Sequence, residues 1–445
     1  MLKNYVLDTN ILLSYPDSIY AFEDNNVIIT STVLQELDSK KSALGDLGYH
    51  AREACRILES FRLRGDLING VPIERNGEVS GILYLSLSDS APLPDYYSFD
   101  KPDNRIIAAT KGIAKRTNIP TVLVTNDISM RINATVCKVE VQEYKNIRIE
   151  DEGYKGWTEL EVTENIIDSL YANSSLSYSN SDLLDNEFVI LKSGSKSALA
   201  IFHKGLLVRI NTDKPSFRPY GIKTLNVAQK FAMYSLLAPV SDIPLVILNG
   251  PAGVGKTFEA LAAGLSGTYA PRSEQLYNRL LITRANTQTE DRDFGYLPGG
   301  LQDKMRPLLA PFYDNLESLL RAGVREEQEQ INTQIEDLFA TGTIQLAPLA
   351  YIRGRSICDS FLICDEVQNV SQRMIKDIIT RVGRGTKLVL MGDTSQIDNF
   401  TLDKHNNGLT YAINKMKGSS YCAIVQFDES DSVRSELSRE ALERM

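Results

Sequence analysis

The sequence has no long hydrophobic run, few cysteines and few histidines. None of its apolar runs approaches the roughly 20 residues that a transmembrane helix needs, and its first residues lead into a short strand-like run without a secretory signal. We therefore expect a cytoplasmic protein that has no membrane partner. The five cysteines form no CxxC pair and the three histidines are scattered, which argues against zinc sites and disulfide frameworks. Any metal should therefore be held by carboxylate or hydroxyl oxygens.

The sequence also lacks an excess of positive charge. A net charge of −9 argues against a protein that coats nucleic acid through its overall charge, so a nucleic-acid partner would need local basic surfaces. With 43% apolar and 24% charged residues the composition is otherwise that of a globular protein.

The length of 445 residues exceeds what one hydrophobic core usually organises, so we expect two or three domains. Polar and turn residues predict a first domain over residues 1–146, a connector over 147–215 that forms a small β-module, and a second domain over 216–445. In both large domains short apolar runs alternate with helical patterns, which is typical of α/β folds with parallel sheets. Ligands of such sheets bind beyond the carboxyl ends of the strands.

A glycine-rich segment follows the predicted strand 245–248 and precedes a helical pattern. It has the GxxxxGK[ST] spacing of a phosphate-binding loop and consists of Gly250, Pro251, Ala252, Gly253, Val254, Gly255, Lys256 and Thr257. Backbone N–H groups would wrap the phosphates, Lys256 would reach the β- and γ-phosphates of ATP, and Thr257 would bind magnesium. The alternative is an accidental glycine-rich turn.

Three further segments predict partners for this loop. The apolar strand 361–364 ends in Asp365, which would hold magnesium, and Glu366, which would polarise the attacking water. The strand 388–391 runs into a loop that carries Gln396, where a γ-phosphate sensor is expected. Upstream, Asn226 and Gln229 begin a helix, and Gln229 could read the adenine edge.

The order of these motifs resembles superfamily 1 helicase cores, and specifically the PhoH family of ATPases. The likeness is carried by FGYLPG at 294–299, APLAYIRGR at 347–355, CDEVQN at 364–369 and GDTSQID at 392–398. It spans residues 216 to about 436, with departures at Arg284-Ala285 and at 433–437. The resemblance implies ATP hydrolysis, RNA unwinding or translocation, and a homo-oligomeric ring of six subunits. It also implies an arginine that a neighbouring subunit donates to the γ-phosphate, for which the candidates are Arg353, Arg355, Arg381, Arg384 and Arg434.

Acidic residues of the first domain fall where strands end or helices begin. Asp8 ends the first strand, Glu36 lies early in the helix after the second strand, Asp103 starts a helix, and Asp127 follows the strand 122–124. All four could converge at one carboxyl edge, and carboxylates so close repel one another unless Mg²⁺ or Mn²⁺ lies between them. The alternative is that Asp8, Asp103 and Asp127 are helix caps and turn formers.

This acidic pattern resembles a PIN domain over residues 1 to about 146, on VLDTNIL at 6–12, VLQELD at 33–38, DNRI at 103–106 and TNDI at 125–128. The resemblance implies a metal-dependent ribonuclease whose acidic residues are Asp8, Glu36, Asp103 and Asp127. Nearby basic residues could guide an RNA backbone, or could be the solvated charges that helices usually carry: Lys40, Lys41, Arg52, Arg56, Arg62, Arg64, Arg105 and Arg131.

Together, the two resemblances imply an enzyme that couples ATP-driven RNA unwinding to RNA cleavage. The alternative is an ATPase that remodels RNA or protein complexes and whose PIN-like domain binds RNA or a partner without cutting. A scaffold that binds ATP without turnover is disfavoured by Glu366.

Overall fold

The computed structural model describes residues 2–43, 45–75, 78–87, 89–144, 154–285, 310–321, 328–352, 355–399, 402–404 and 406–432. The chain divides into two compact units, Met1–Glu150 and Asp151–Met445. Each unit contains a mainly parallel sheet flanked by helices, which confirms the predicted α/β fold class.

The first unit is built around a six-stranded sheet. Its strands are β1 (Asn4–Leu7), β2 (Asn26–Thr30), β3 (Val71–Arg75), β4 (Glu78–Ser86), β5 (Thr121–Val124) and β6 (Glu140–Gln142). Its helices are α1 (Thr9–Ser14), a 3₁₀ helix (Pro16–Ala21), α2 (Ser31–Lys40), α3 (Gly45–Arg62), α4 (Pro102–Thr117) and α5 (Ile128–Val136). The strand order is β3-β4-β2-β1-β5-β6, and all neighbours are parallel except β3 and β4. The carboxyl ends of β1, β2, β4 and β5 therefore lie at one edge.

The helix α3 shows how the apolar pattern places the layers. The sequence predicts a helix over 49–62, and the structure extends it back to Gly45. The residues that share its predicted apolar face are buried, apart from a half-buried Cys55: Ala51, Ala54, Leu58 and Phe61. Because the strands β1, β2 and β5 are buried along almost their whole length, helices cover both faces of the sheet.

The second unit begins with a small five-stranded sheet. Its elements are β7 (Trp157–Glu161), α6 (Glu164–Asn173), β8 (Ser175–Ser177), β9 (Glu187–Ser193), β10 (Lys196–His203) and β11 (Leu206–Arg209), in the strand order β7-β9-β10-β11-β8. The rings of Phe188 on β9 and Phe231 stack with centroids 4.5 Å apart. The small sheet therefore shares a hydrophobic core with the helix that carries Phe231.

The second unit also contains a six-stranded parallel sheet. Its strands are β12 (Leu245–Asn249), β13 (Arg279–Arg284), β14 (Ile344–Leu346), β15 (Ser360–Asp365), β16 (Lys387–Gly392) and β17 (Cys422–Gln426), in the order β14-β13-β15-β16-β12-β17. Its α-helices are α7 (Val227–Leu237), α8 (Lys256–Thr268), α9 (Ala310–Arg321), α10 (Gln328–Ala340), α11 (Leu349–Ile352), α12 (Gln372–Ile379) and α13 (Gly408–Met416). Short 3₁₀ helices span Pro215–Phe217, Pro219–Gly221, Val367–Asn369 and Glu429–Asp431.

The strand order decides what meets at the edge of this sheet. β16 lies between β15 and β12, and all three strands are parallel. The segments that follow β15, β16 and β12 are therefore neighbours at the carboxyl edge.

Among the described residues, no helix is both long enough and apolar enough to span a membrane.

Two candidate functional sites

The loop between β12 and α8 has a backbone that its glycines make possible. Gly250, Gly253 and Gly255 adopt φ values of +152°, +89° and +97°, a region that side chains disfavour. A Cβ on Gly250 would lie 2.6 Å from the Cβ of Phe427, so the loop leaves no room for a side chain there. The loop runs directly into α8 at Lys256, and Val254 is fully buried beneath it. Its N–H groups and the helix N-terminus form the arrangement that binds phosphate.

Lys256 lies folded over this loop. Its Nζ donates to the carbonyl oxygens of Gly250 at 2.5 Å and Pro251 at 2.9 Å. Thr257, the second residue of α8, is half-buried, whereas Ala252 and Gly253 are exposed. These two hydrogen bonds hold the ammonium group of Lys256 against the first residues of the loop.

The carboxylate of Asp365 is buried beside this loop. Burial raises the pKa of Asp365 to about 6, and the negative charge of Glu366 adds to the rise. The positive charges of Arg284 and Lys256 act in the opposite direction, which places Lys256 within electrostatic range of Asp365. The structure therefore brings together the two motifs that the sequence separates by about a hundred residues. A carboxyl whose charged form is disfavoured by burial and by a neighbouring negative charge fits a site for a divalent cation.

Glu366 has both of its carboxylate oxygens engaged. Arg284 Nη2 donates to Oε1 at 2.8 Å, and Gln368 Nε2 donates to Oε2 at 2.6 Å. Glu366 also has a φ of +58°, which is uncommon for a residue with a side chain and occurs often at functional sites. The side chain is therefore held in one orientation at the strand end.

The loop after β16 completes this edge. Ser395 donates through both N and Oγ to Asp393 Oδ1, at 2.9 and 2.6 Å. The other oxygen, Asp393 Oδ2, is buried and accepts no hydrogen bond from any residue that the structure describes. Gln396 has an exposed side chain, and its carbonyl accepts from Gln368 Nε2 at 2.9 Å. Sequence reasoning missed Gln368 and Asp393, although both lie inside motifs that it identified.

The helix α7 contacts the glycine-rich loop through Gln229. Asn226 caps α7, because its Oδ1 accepts from Gln229 N at 2.8 Å. The Gln229 amide accepts from Leu225 N at 2.7 Å and donates to Val254 O at 3.0 Å. Gln229 therefore holds the loop in place, and the predicted reading of adenine stays a prediction.

Three of the five arginines that are candidates for the γ-phosphate of a neighbouring subunit lie within the described residues. Arg353 and Arg434 lie outside the described residues, as do the segments 294–299 and 433–437. Arg355 and Arg384 are exposed, and Arg381 is half-buried. Arg381 and Arg384 precede β16, at the amino-terminal edge of the sheet.

The first unit places its acidic residues at one carboxyl edge. Asp8 caps α1 and accepts from Thr9 N at 2.6 Å, and Asp127 caps α5 and accepts from Met130 N at 2.9 Å. The interpretation as helix caps is thus right for these two residues. Asp103 stands inside the first turn of α4 and is not its cap.

A buried threonine joins these carboxylates. Thr125, fully buried at the end of β5, donates through Oγ to Asp8 Oδ2 at 2.6 Å. Thr125 Oγ1 in turn accepts from Asn10 Nδ2 at 3.0 Å and from Asp127 N at 3.1 Å. Glu36 on α2 is held similarly, because Thr9 Oγ1 donates to its Oε2 at 2.6 Å. Both threonines lie inside the motifs that predict this edge, at 6–12 and 125–128, but the motifs do not indicate what their hydroxyls bind.

The electrostatics of this edge show that the four carboxylates interact. The pKa of Asp8 is raised to about 6, mainly by burial and to a lesser extent by the charges of Asp103 and Glu36. Burial also raises the pKa of Asp103, with the charge of Asp127 as the next cause. Such mutual repulsion fits a site that a divalent cation would neutralise. In the described part of the chain, however, no three acidic, histidine or cysteine side chains form a ready-made metal cage.

Most of the basic residues predicted to guide RNA are engaged with acidic neighbours. The ion pairs are Lys41 with Asp38, Arg56 with Glu53, Arg62 with Glu59, Arg64 with Glu74 and Arg131 with Glu143. Arg52 donates to Lys41 O at 2.5 Å. Lys40 is exposed and Arg105 is half-buried, and neither belongs to the ion pairs named above.

A phosphate-binding loop, a buried aspartate followed by a half-buried glutamate, and the buried Gln368, all at one edge of a parallel sheet, define a P-loop nucleotide-binding domain. The first unit is a second α/β domain with four acidic residues at its carboxyl edge. Comparison with known proteins gives their families. The family model described as PhoH-like protein matches residues 221–445, and the model described as PIN domain matches residues 5–145.

Curated relatives match along almost the whole chain. Protein PhoH2 of Bacillus subtilis (strain 168) is 36% identical over 441 residues, which cover 96% of each chain. Protein PhoH2 of Mycolicibacterium smegmatis is 31% identical over 434 residues, 96% of this chain and 94% of that one. Protein PhoH2 of Thermobispora bispora is 31% identical over 432 residues, with the same two shares of 96% and 94%. The chain belongs to the PhoH-like family and carries a PIN domain at its N-terminal side, as the sequence motifs predict.

Proposed function

We propose that this chain is an ATP-dependent RNA-processing enzyme. Its PhoH-like domain hydrolyses ATP to translocate on or unwind RNA, and its PIN domain cuts the RNA at the four carboxylates. The observation that carries the proposal is the presence, in one chain, of a phosphate loop beside Asp365 and Glu366 and of a separate edge on which Asp8, Glu36, Asp103 and Asp127 interact.

The ATPase half assigns a task to each residue of the nucleotide site. Lys256 moves from the loop carbonyls to the β- and γ-phosphates, and Glu366 accepts a proton from the attacking water. Thr257 and Asp365 would hold Mg²⁺, which neutralises charge on the phosphates. Gln396 senses the γ-phosphate, since its exposed amide lies on the loop that Gln368 ties to Glu366.

The ATP site is completed by a neighbouring copy in a ring, which we propose to be hexameric. A head-to-tail ring joins two different surfaces of the same subunit, so an arginine that serves a neighbour must lie away from its own phosphate loop. Arg381 and Arg384 meet this condition, because they precede β16 while the loop lies at the opposite edge of the sheet. Arg353, Arg355 and Arg434 remain candidates from the sequence.

The PIN half acts on the RNA backbone. Asp8, Glu36, Asp103 and Asp127 would hold Mg²⁺ or Mn²⁺, which activates water and stabilises the leaving oxygen in phosphodiester cleavage. Thr125 and Thr9 hold two of these carboxylates in place through short hydrogen bonds. The expected substrate is single-stranded RNA or a duplex with a single-stranded tail.

One assay separates the two activities. Wild type, Lys256→Ala and Asp8→Asn are each given ATP, Mg²⁺ and a labelled RNA duplex with a single-stranded tail, and gels resolve unwinding from cutting. Lys256→Ala should abolish ATPase activity and unwinding, while Asp8→Asn should abolish cutting and leave ATP hydrolysis intact. A wild-type enzyme that leaves a panel of RNAs uncut would refute the nuclease half.

The second candidate is an ATPase whose PIN domain binds RNA or a partner without cutting. It is favoured by the absence of a ready-made metal cage among the described residues. Titration of the full chain with Mn²⁺ by calorimetry discriminates the two. Binding that Asp8→Asn removes supports a metal site, and equal binding by both proteins supports the second candidate.

A further inference from the structure

An extended segment, residues 89–100, leads to the acidic edge of the first unit and is fastened along α4. At one end, Arg116 makes two hydrogen bonds to Asp89, at 2.6 and 2.9 Å. At the other end, Asn104 Nδ2 donates to Ser98 O at 2.6 Å. Because Arg116 is in the last turn of α4 and Asn104 is in the first, the segment runs back along the helix to its start.

This segment carries three aromatic residues, two of which are exposed. Tyr97 points inward, since it packs against the core and its hydroxyl donates to Asn133 Oδ1 at 3.2 Å. The side chain of Tyr96 is 74% exposed and that of Phe99 is 47% exposed. The ring centroids of Tyr96 and Tyr97 lie 4.7 Å apart, so the half-buried ring of Tyr97 packs against the exposed ring of Tyr96. Two large aromatic rings are thus exposed on a segment that hydrogen bonds fasten to α4 at Asp89 and Ser98.

The rings lie beside the acidic edge. Ser98, the residue before Phe99, contacts Asn104, and Asn104 follows Asp103 in the chain. The adjoining Lys101 lies within electrostatic range of Asp103. An RNA bound at the carboxylates would therefore pass the start of α4.

We propose that Tyr96 and Phe99 form a stacking site for unpaired nucleobases of the RNA that the PIN domain cuts. The inference rests on the proposed nuclease function and names its substrate class as single-stranded RNA. Unstacked bases bind aromatic rings through faces that every base has, so such a site is tolerant of sequence.

The charges around the rings favour a single strand. Asp95 and Asp100 are both exposed and adjoin the two rings in the sequence, and Ser98 Oγ donates to Asp100 at 2.8 Å, so negative charge lies near the rings. The phosphates of a duplex would have to cross these carboxylates. A base that is splayed out from its backbone reaches the rings while its phosphate lies near Lys101.

The test uses the full chain and steady-state cleavage of a short single-stranded RNA. Tyr96→Ala and Phe99→Ala should each raise KM about tenfold, the effect of losing one stacked base, with kcat little changed. Tyr96→Phe and Phe99→Tyr keep a ring and should keep the wild-type KM. Val79→Ala removes an apolar side chain that is 65% exposed at the start of β4, the opposite edge of the sheet, and should change nothing.

A substrate with abasic nucleotides separates stacking from folding. It should raise the KM of wild type as much as the alanine substitutions do, and should raise the KM of the double alanine variant no further. An unchanged KM in the alanine variants overturns the proposal, and a changed oligomeric state with unchanged KM assigns the rings to a protein contact instead. RNA carrying 5-iodouridine, crosslinked to the Asp8→Asn chain, tests stacking without cleavage. If residues 89–100 crosslink to this RNA but the wild type cuts no RNA, the stacking site is supported and the nuclease function is refuted.

Discussion

Gln368 donates from Nε2 to Glu366 Oε2 at 2.6 Å, and the same nitrogen donates to Gln396 O at 2.9 Å. Its Oε1 accepts from Asp393 N at 3.1 Å. The side chain is fully buried, and a Cβ on Gly392 would lie 2.2 Å from its Oε1, so this position of Gln368 requires a glycine at 392. One amide therefore links the proposed general base to the loop that carries the proposed phosphate sensor.

Replacing this amide should slow ATP hydrolysis more than it weakens nucleotide binding. Gln368→Met keeps the shape of the side chain and removes every hydrogen bond to Glu366 and to the 393–396 loop. A hydrogen bond to a charged group contributes about 1.5–3 kcal/mol, so kcat should fall roughly ten- to hundredfold. The measurements are steady-state phosphate release and the Kd of a fluorescent ATP analogue, and the Kd should stay near the wild-type value.

The neighbouring Asn369 offers a matched control. It is also buried, and its Oδ1 accepts from Asp398 N at 2.8 Å, two residues past Gln396, whereas its side chain has no hydrogen bond to Glu366 among those of the described residues. Asn369→Leu should lower thermal stability to a similar extent without the loss of kcat. Equal kcat losses in both variants would mean that Gln368 only supports the fold.

The phosphate loop should not tolerate a side chain at its first glycine. Gly250→Ala places a Cβ 2.6 Å from the Cβ of Phe427, on a backbone with φ of +152°. We expect the loop to shift, with loss of ATP binding and a lower melting temperature. Gly194→Ala is the control, because it has positive φ but open space around it. It should cost only the backbone strain and leave ATP binding unchanged.

The α/β architecture could be predicted from the sequence because the apolar strands are buried on both faces. In the predicted connector, the apolar runs 187–191, 200–202 and 205–210 predict short strands, and the structure has β9, β10 and β11 there. The helix α6 and the pairing of β7 with β9 were not predicted, since the ladder joins residues about thirty apart and leaves no local pattern. A single sequence shows the periodicity of an element but not its partner.

The site residues with charged side chains could also be predicted, whereas those that orient them could not. Asp8 and Asp365 lie at the carboxyl ends of strands, where ligands of α/β sheets bind. Their motifs therefore indicate that these carboxylates belong to the sites. Thr125 and Gln368 act through hydrogen bonds across the sheet edge, to Asp8 and Glu366 respectively. Thr125 and Asp8 lie far apart in the sequence, and the bond between Gln368 and Glu366 depends on side-chain rotamers that a sequence does not show.

Thr125 should therefore matter for metal binding more than for folding. Thr125→Val removes the hydroxyl that donates to Asp8 Oδ2, and this hydrogen bond opposes the burial that raises the pKa of Asp8. Without it the pKa should rise further, so protons compete better with a cation. We expect Mn²⁺ affinity at neutral pH to fall several-fold by calorimetry, and to recover as the pH is raised.

Thr110→Val provides the comparison for that experiment. Thr110 is also fully buried in the first unit, but its hydroxyl donates only to Ile106 O within α4, at 2.8 Å. Both variants should lose about 1 kcal/mol of stability. Only Thr125→Val should change Mn²⁺ affinity, and an equal effect of the two would contradict the assignment.

Lys387 begins β16 in the core of the second unit and is fully buried. Its Nζ donates to the carbonyls of Ser235 at 2.8 Å and Ala238 at 2.5 Å, at the end of α7. Burial lowers the pKa of Lys387 from its usual 10.5 to about 7, an effect that Asp242 opposes. Between these two values the unfolded chain holds a proton that the folded protein has lost. The free energy of unfolding therefore rises with pH in this window.

Lys387→Met should remove this pH dependence while filling the same space. A single group can change the free energy of unfolding by at most about 1.4 kcal/mol per pH unit. The free energy of unfolding of wild type should therefore rise relative to that of the variant between pH 7 and about 9. Below pH 7 the buried charge is costly, and the variant should be the more stable of the two. Trp157, the one tryptophan of the sequence, lies in the same unit and reports its denaturant unfolding by fluorescence. Parallel pH profiles for the two proteins would show that Lys387 keeps an ordinary pKa.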